Sequence, residues 1–222
     1  ALVALLVIRW PYEARRTWLE DQLWDGARTS DSALRVLVLR VRRALAEAGL
    51  DGVIRTTQNG YVLDLGERDA SAAIDLRRFE ALLVAGLDAR ARHDDAAARS
   101  LLTEAVELWH GEPFEGASEC AALEPERARL TTSRLETIEH LAATMIELGD
   151  FDSAAALADP LAGAHPERER LTAVLMLAHL RAGRPAEALR AAERLRSRLA
   201  DELGVEPGVE VTDLERFVHE PS

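Results

Sequence analysis

The chain has 222 residues, enough to bury a sizeable core in one or two domains. With 48% hydrophobic but only 5% aromatic residues, it has the composition of a helical protein, and a net charge of −12 excludes one that wraps nucleic acid with its whole surface. The phosphate-binding, metalloprotease and clustered cysteine–histidine motifs are missing from the sequence, so we predict no enzymatic activity, no cofactor and no metal.

The charge is unevenly distributed along the chain. Every basic residue is an arginine, which is typical of a high-GC bacterium and suits bidentate contact with phosphate. Residues 1–65 hold nine arginines and eight acidic residues, whereas residues 66–222 hold 18 and 31. Within residues 28–43, five arginines accompany one aspartate. The sequence therefore predicts a local basic patch on an acidic protein.

The opening run ALVALLVI is too short to span a membrane and has no charged leader. Because the chain does not begin with Met, we treat it as a fragment whose first element is incomplete. Cys120 is the only cysteine, which indicates a reducing compartment. We expect a cytoplasmic protein with no membrane partner.

Three helices are predicted before residue 50. The first covers residues 1–9 and stops at Trp10-Pro11, and the second covers 13–23 and stops at Asp25-Gly26. The third covers residues 32–48, with N-cap oxygens at 29–31 and Gly49 as a left-handed cap. RVLVLRV alone could form a strand, but the capped length favours a helix.

At 100° per residue the third helix has two faces. The predicted core face holds Leu34, Leu37, Val38, Val41, Leu45 and Ala48. The predicted outward face holds Arg35, Val36, Leu39, Arg40, Arg42 and Arg43. A hairpin follows over residues 51–66, because VIRTT and YVLDL are joined by Gln-Asn-Gly. Helix, helix, long helix and hairpin is the order of a winged helix.

This order predicts how the chain would meet double-stranded DNA. Arg40 and Arg43, together with Arg42, are candidate phosphate contacts, and Arg35, Val36 and Leu39 are nearest to base edges. Five hairpin residues are candidate minor-groove contacts: Arg55, Thr56, Thr57, Gln58 and Asn59. Valine and leucine can touch a thymine methyl but cannot read donors and acceptors.

Two alternatives remain open for these residues. The arginines could form a solvated face with pairs such as Arg43 to Glu47. Val36 and Leu39 could instead seat a protein partner, which would make the chain an interaction scaffold with a vestigial winged helix.

From residue 75 onward the sequence predicts helices over 75–91, 94–110, 119–148, 151–164, 167–182, 185–203 and 207–219. Gly149 and Gly183 lie 34 residues apart, and two alanine pairs, 154 with 188 and 158 with 192, keep that offset. This is the period of tetratricopeptide repeats. RHDDAAARSLLTEAVELW resembles a third copy in which histidine and aspartate replace the glycine.

The chain resembles the SARP-type bacterial transcriptional activators along its whole length. DQLWDG, VLRVRRALAEAG and NGYVLDL resemble the second helix, recognition helix and wing of the family's response-regulator-type winged helix. Five further stretches resemble parts of the family's activator domain and follow in the same order. They are IDLRRFEALL, LLTEAVELWHGEPF, EPERARL, AHPERERL and LMLAHLRAGRPAEALRAAERLRSRLADELGVEPG.

This resemblance implies a mainly α protein. Residues 1–66 would be a winged helix-turn-helix truncated by loss of its N-terminal strands, and 67–222 an all-α, tetratricopeptide-like activator domain. It implies a promoter-binding activator that contacts RNA polymerase and forms a homodimer. Two departures from the family, Thr172 and Ala192 in place of aromatics, imply a packing change in the repeats.

Overall fold

The computed structural model describes residues 1–25, 32–117 and 120–219. The N-terminal elements are α1 (Leu2–Arg9), β1 (Ala14–Arg15), α2 (Arg16–Trp24), α3 (Ala33–Glu47), β2 (Ile54–Thr56), β3 (Gly60–Leu63) and α4 (Ala70–Ala73). Seven longer helices follow: α5 (Asp75–Ala91), α6 (Asp95–Glu107), α7 (Glu124–Glu147), α8 (Phe151–Ala164), α9 (Glu169–Arg181), α10 (Pro185–Glu202) and α11 (Val209–His219). The predicted mainly α fold with a small sheet is confirmed. No helix in the described ranges has the length and apolar character needed to cross a membrane.

The packing divides the chain into two compact units. The first unit combines Ala1–Phe79 with Trp109–Ser133, and the second combines Glu80–Leu108 with Arg134–Ser222. Each unit is therefore assembled from two separate stretches of sequence, and the first unit extends beyond the winged helix predicted over residues 1–66.

The first unit contains a three-stranded antiparallel sheet with strand order β1-β3-β2. The predicted hairpin is confirmed, but the helix predicted over 13–23 is wrong at its start, because Ala14 and Arg15 pair with Tyr61 and Gly60 as β1. Gly60 is required at this point. A Cβ there would lie 2.0 Å from the carbonyl oxygen of Ala14, so only glycine lets the two strands approach.

Helix α3 presents an apolar side to the core of this unit. Leu34 and Val38 are buried, while Leu37, Val41 and Leu45 are partly buried, so the predicted core face is confirmed at these positions. Ala48 is exposed, contrary to prediction, because it lies in the cap beyond the last helical residue.

The end of α3 forms as predicted. Gly49 has a φ of +78°, and its N–H donates to the carbonyl of Ala46 at 3.0 Å, while the N–H of Leu50 donates to Leu45 at 2.7 Å. The N-cap predicted over residues 29–31 lies outside the described residues.

Residues 109–133 join the first unit through specific contacts. Trp109 meets Phe79 edge to face with ring centroids 5.3 Å apart. Arg127 donates to the carbonyls of Phe114 and Ala117 at 3.1 and 2.7 Å. The buried thiol of Cys120 lies 3.6 Å from the carbonyl oxygen of Gln22, which is the structural role expected of an isolated buried cysteine.

The second unit contains the predicted helical repeats. Helix α9 packs against α8, α10 and α11. The four alanines that keep the 34-residue offset, Ala154, Ala158, Ala188 and Ala192, are all fully buried in one apolar cluster. Small side chains at these positions let the helix axes approach closely. The 34-residue sequence pattern therefore corresponds to helix packing in the structure.

The same turn recurs three times between the helices of this unit. Gly149, Gly183 and His93 all have positive φ, and each donates its N–H to the carbonyl three residues earlier. The next residue then donates to the carbonyl five residues before it, which completes a Schellman motif. The predicted third copy thus shares this turn, with His93 at φ 58° where the other two copies have glycine.

The predicted helix bounds hold for α5 and α8 and shift elsewhere. The largest error is at the helix predicted to begin at 119. Helix α7 begins at Glu124, because Pro125 has no N–H to donate and favours the first turn of a helix. A short 3₁₀ turn, Ala121–Leu123, precedes it.

Candidate nucleic-acid interface

Five residues of α3 form one exposed strip, here called the outer face. Its members are Arg35, Val36, Leu39, Arg40 and Arg43. They point away from the core because Leu34 and Val38 anchor the opposite side of the helix. Val36 is 46% exposed and Leu39 61% exposed, which are high values for aliphatic side chains.

The three guanidinium groups of the outer face lack acidic partners among the described residues. No ion pair involving Arg35, Arg40 or Arg43 forms within those ranges, and the alternative pairing of Arg43 with Glu47 is therefore not made. Solvated arginines without a carboxylate partner retain their full charge for an approaching anion.

Arg42 lies apart from the other arginines of this helix. It is half-buried, and its guanidinium donates through Nε to the carbonyl of Ile54 and through Nη2 to Oγ1 of Thr56, both at 2.9 Å. The same guanidinium lies 6.0 Å from the ring centroid of Tyr61. Arg42 therefore links α3 by hydrogen bonds to the hairpin formed by β2 and β3, here called the wing.

The spacing of residues in α3 does indicate that Arg42 lies beside the core, although the predicted outward face includes it. Arg42 follows the buried Leu34 and Val38 at successive intervals of four residues, which places it on the border of the core stripe. Arg43, one residue further, projects from the exposed side.

The wing residues have their own local contacts. Arg55 pairs with Asp64 at 2.8 Å, so its charge is partly neutralised. Oγ1 of Thr57 accepts from the N–H of Gly60 at 3.0 Å. Gln58 and Asn59 form the exposed tip, where the Asn59 carbonyl accepts from the N–H of Arg16 at 2.9 Å. Both sides of the wing are thus held by hydrogen bonds.

Most arginines of the second unit are paired with acids, in contrast to the outer face. The pairs within 3.0 Å join Arg99 to Asp150, Arg168 to Glu139, Arg184 to Asp152, Arg190 to Glu187, Arg194 to Asp159, Arg196 to Glu193 and Glu215, Arg198 to Glu202 and Arg216 to Asp213. The paired cations neutralise part of the acidic helical surface of this unit.

The pKa values of the buried Glu139 and of the partly buried His140 are shifted in this unit. Burial raises the pKa of the Glu139 carboxyl, although Arg168 donates to it at 2.9 Å and opposes the shift. Burial lowers the pKa of His140, and the neighbouring Arg90 adds to that effect. Nη1 of Arg90 lies 2.6 Å from Nδ1 of His140.

The second unit also contains a cavity of about 600 Å³ lined by residues of α8, α9 and α10. Thr172 contributes to its wall, and Arg190, Arg194 and Arg198 lie along one side. Each of these arginines has an acidic partner. Among the described residues, no group of histidine, cysteine and acidic side chains is arranged to hold a metal ion.

The sequence model of the family described as "Bacterial transcriptional activator domain" matches residues 74–219. The chain belongs to this family. The SARP-type relationship is shown by curated relatives as well, since the regulatory protein DnrI of Streptomyces peucetius is 32% identical over 90% of this chain and 75% of its own length.

Longer members of the family are also similar. The regulatory protein AfsR of Streptomyces coelicolor is 36% identical over 98% of this SARP-type chain, which spans about a fifth (21%) of AfsR. A solved structure of Mycobacterium tuberculosis EmbR, in complex with a low-affinity phosphopeptide, covers 100% of the chain with a TM-score of 0.89 and 27% identity. The chain spans 59% of that EmbR molecule. AfsR and DnrI are both described as regulatory proteins.

Proposed function

We propose that this chain is the DNA-binding and activator portion of a transcriptional regulator that acts in the cytoplasm. In this proposal residues 1–66 are the winged-helix domain and 67–222 the activator domain. Helix α3 enters the major groove, and the wing approaches the minor groove beside it. The chain catalyses no reaction, binds as a homodimer and brings RNA polymerase to the promoter.

The observation that carries the proposal is the unpaired charge of the outer face. Three guanidiniums without described acidic partners project from one helix of a protein whose net charge is −12. The family membership supplies the regulatory context. The Arg42 contacts support it further, because they hold the wing beside α3 as DNA binding by this fold requires.

Salt dependence of binding to a fluorescently labelled mixed-sequence duplex tests the proposal. Neutralising two phosphates per chain, through Arg40 and Arg43, predicts a slope of about −1.8 for log K against log salt, and roughly −3.6 for a dimer. Reversal of two charges by Arg40→Glu and Arg43→Glu should abolish binding. The matched control is Arg190→Glu with Arg194→Glu, which changes the net charge equally on the second unit and should bind nearly as wild type.

Two results would contradict the proposal. Equal loss in both double variants would mean that overall charge, and not the outer face, governs binding. No binding by the wild type at low salt would favour the alternative of a protein-interaction scaffold, for which the exposed Val36 and Leu39 would then be the docking residues.

A further inference from the structure

The outer face of α3 offers an unusually restricted set of chemical groups. From Ala33 to Ala46 the helix contains only alanine, leucine, valine and arginine. No hydroxyl, amide, carboxylate or imidazole is present over that length. Any base that this helix reads directly must therefore be read by a guanidinium or by an aliphatic side chain.

These two groups recognise different bases in the major groove. A guanidinium donates two hydrogen bonds to O6 and N7 of guanine. An aliphatic side chain cannot pair with donors or acceptors, but it packs against the 5-methyl group of thymine. Adenine and cytosine present amino groups that need an acceptor, and the outer face has none.

The positions of the aliphatic residues suit base contact. Val36 and Leu39 lie three residues apart in the first half of α3, the part of a recognition helix that meets base edges. They are 46% and 61% exposed, and arginines adjoin them at 35 and 40. Packing within the first unit does not explain the exposure of these two side chains, since the core face of the helix is already occupied by Leu34 and Val38.

We infer that Val36 and Leu39 read thymine methyl groups and that the preferred DNA site places thymines beside a guanine read by Arg35. This inference rests on the proposed function. It names the specificity-determining chemistry of that site: apolar contact with methyl groups supplies the A·T preference, and no hydrogen bond contributes to it.

Thymine and uracil differ only in that methyl group, so exchanging them tests the inference. Duplexes are selected by the wild-type chain from a randomised library, and the enriched sequence is then synthesised with thymine or with deoxyuridine at each position. Burial of a methyl group is expected to change affinity about fourfold, so deoxyuridine at a contacted position should weaken binding by that factor.

The variant Leu39→Ala distinguishes direct contact from altered DNA shape. If Leu39 packs on a methyl group, the variant should bind thymine and deoxyuridine duplexes equally at one position. A shape effect of deoxyuridine would persist in the variant. Leu203→Ala is the matched control, because Leu203 is a leucine with 58% exposure in the second unit, and it should retain the fourfold preference.

The outcomes separate the inference from the proposed function. Equal affinity of the wild type for thymine and deoxyuridine duplexes would overturn the inference while leaving DNA binding intact. An unchanged thymine preference in both Leu39→Ala and Val36→Ala would also overturn it. Failure to enrich or bind any duplex would instead overturn the proposed function.

Discussion

The arginines of the outer face differ from most arginines of the second unit in whether they have an acidic partner. On α3, Arg35, Arg40 and Arg43 project without an acidic partner in the described ranges. In the second unit, arginines such as Arg168 and Arg194 contact carboxylates at 2.9 and 2.7 Å. A paired arginine stabilises the fold or is energetically neutral, whereas an unpaired one keeps its charge for a ligand.

Net charge is therefore a poor guide to what this protein binds. The net charge of −12 arises from the acidic residues after residue 65, whereas helix α3 in the first part of the chain is cationic. What matters is which cations have partners, and that depends on contacts between residues distant in sequence. Four experiments test whether paired arginines contribute to stability and unpaired arginines to DNA affinity.

Removing a paired arginine from a buried carboxylate should cost the most stability. Glu139 is 4% exposed, and Arg168 donates two hydrogen bonds to it. We expect Arg168→Ala to lower the free energy of unfolding by about 3 kcal/mol, because the carboxylate loses its main partner. Urea denaturation measures the change.

A second variant controls for this interpretation. Glu139→Leu with Arg168→Met removes both charges together and should be less destabilised than Arg168→Ala alone. If the double variant is the less stable of the two, the ion pair itself stabilises the fold and desolvation is not the dominant cost.

Arg42 should behave as a paired arginine although it belongs to α3. The lysine ammonium donates from a single nitrogen and lacks the fork by which Arg42 reaches Ile54 and Thr56 from two, so Arg42→Lys should lower the free energy of unfolding by about 1.5 kcal/mol. Arg43→Lys preserves the charge at an exposed site and should change stability by less than about 0.5 kcal/mol. Equal effects of the two lysine variants on urea denaturation would contradict the role of Arg42 in holding the wing.

Neutralising a single unpaired arginine should affect DNA affinity and leave stability unchanged. Loss of one phosphate contact by Arg40→Gln or Arg43→Gln should reduce the salt slope by about 0.9 and the affinity roughly fivefold near physiological salt. Fluorescence anisotropy measures both quantities. Arg190→Gln, which removes a paired arginine of the second unit, should alter neither, and a reduced slope in that variant would contradict the distinction.

The smallest effect is expected at His140, beside Arg90, as a dependence of the free energy of unfolding on pH. Burial and the Arg90 charge depress the pKa of His140 in the folded state, below the unfolded value of about 6.5. The unfolded chain then binds the proton more tightly, so the associated stability is complete above about pH 6.5 and is lost as pH falls through the folded-state pKa. His140→Gln should remove this part of the pH dependence, and NMR titration should show the ring ionising below its ordinary value. A ring that titrates at or above 6.5 would contradict the assignment.

Much of the fold follows from periodicity and turn residues. The bounds of α5 and α8 could be predicted because apolar spacing, caps and glycine turns agree there. Strand β1 could not, since two residues carry no periodic pattern and their conformation depends on Gly60, far along the chain. Short elements fixed by a distant strand are invisible to local propensity.

The candidate interface, like the fold, can be predicted from the sequence only in part. The exposure of Val36, Leu39 and Arg40 follows from the helical rotation of 100° per residue. The pairing state of the arginines does not, because acids such as Glu139 and Asp159 reach them from 29 and 35 residues away. The helical rotation wrongly groups Arg42 with the exposed arginines for the same reason, because its partners lie on a hairpin 12 and 14 residues further on.

The bond network between α3 and the wing has a consequence for the thermodynamics of binding. With the wing held by Arg42 on one side and by the N–H of Arg16 on the other, the two elements proposed to contact DNA are already mutually oriented in the free protein. Preorganised surfaces lose little conformational entropy on association, so more of the contact energy is available as affinity. A fixed distance between helix and hairpin also sets the length of duplex that one protein chain can cover, and it does so before any DNA is present.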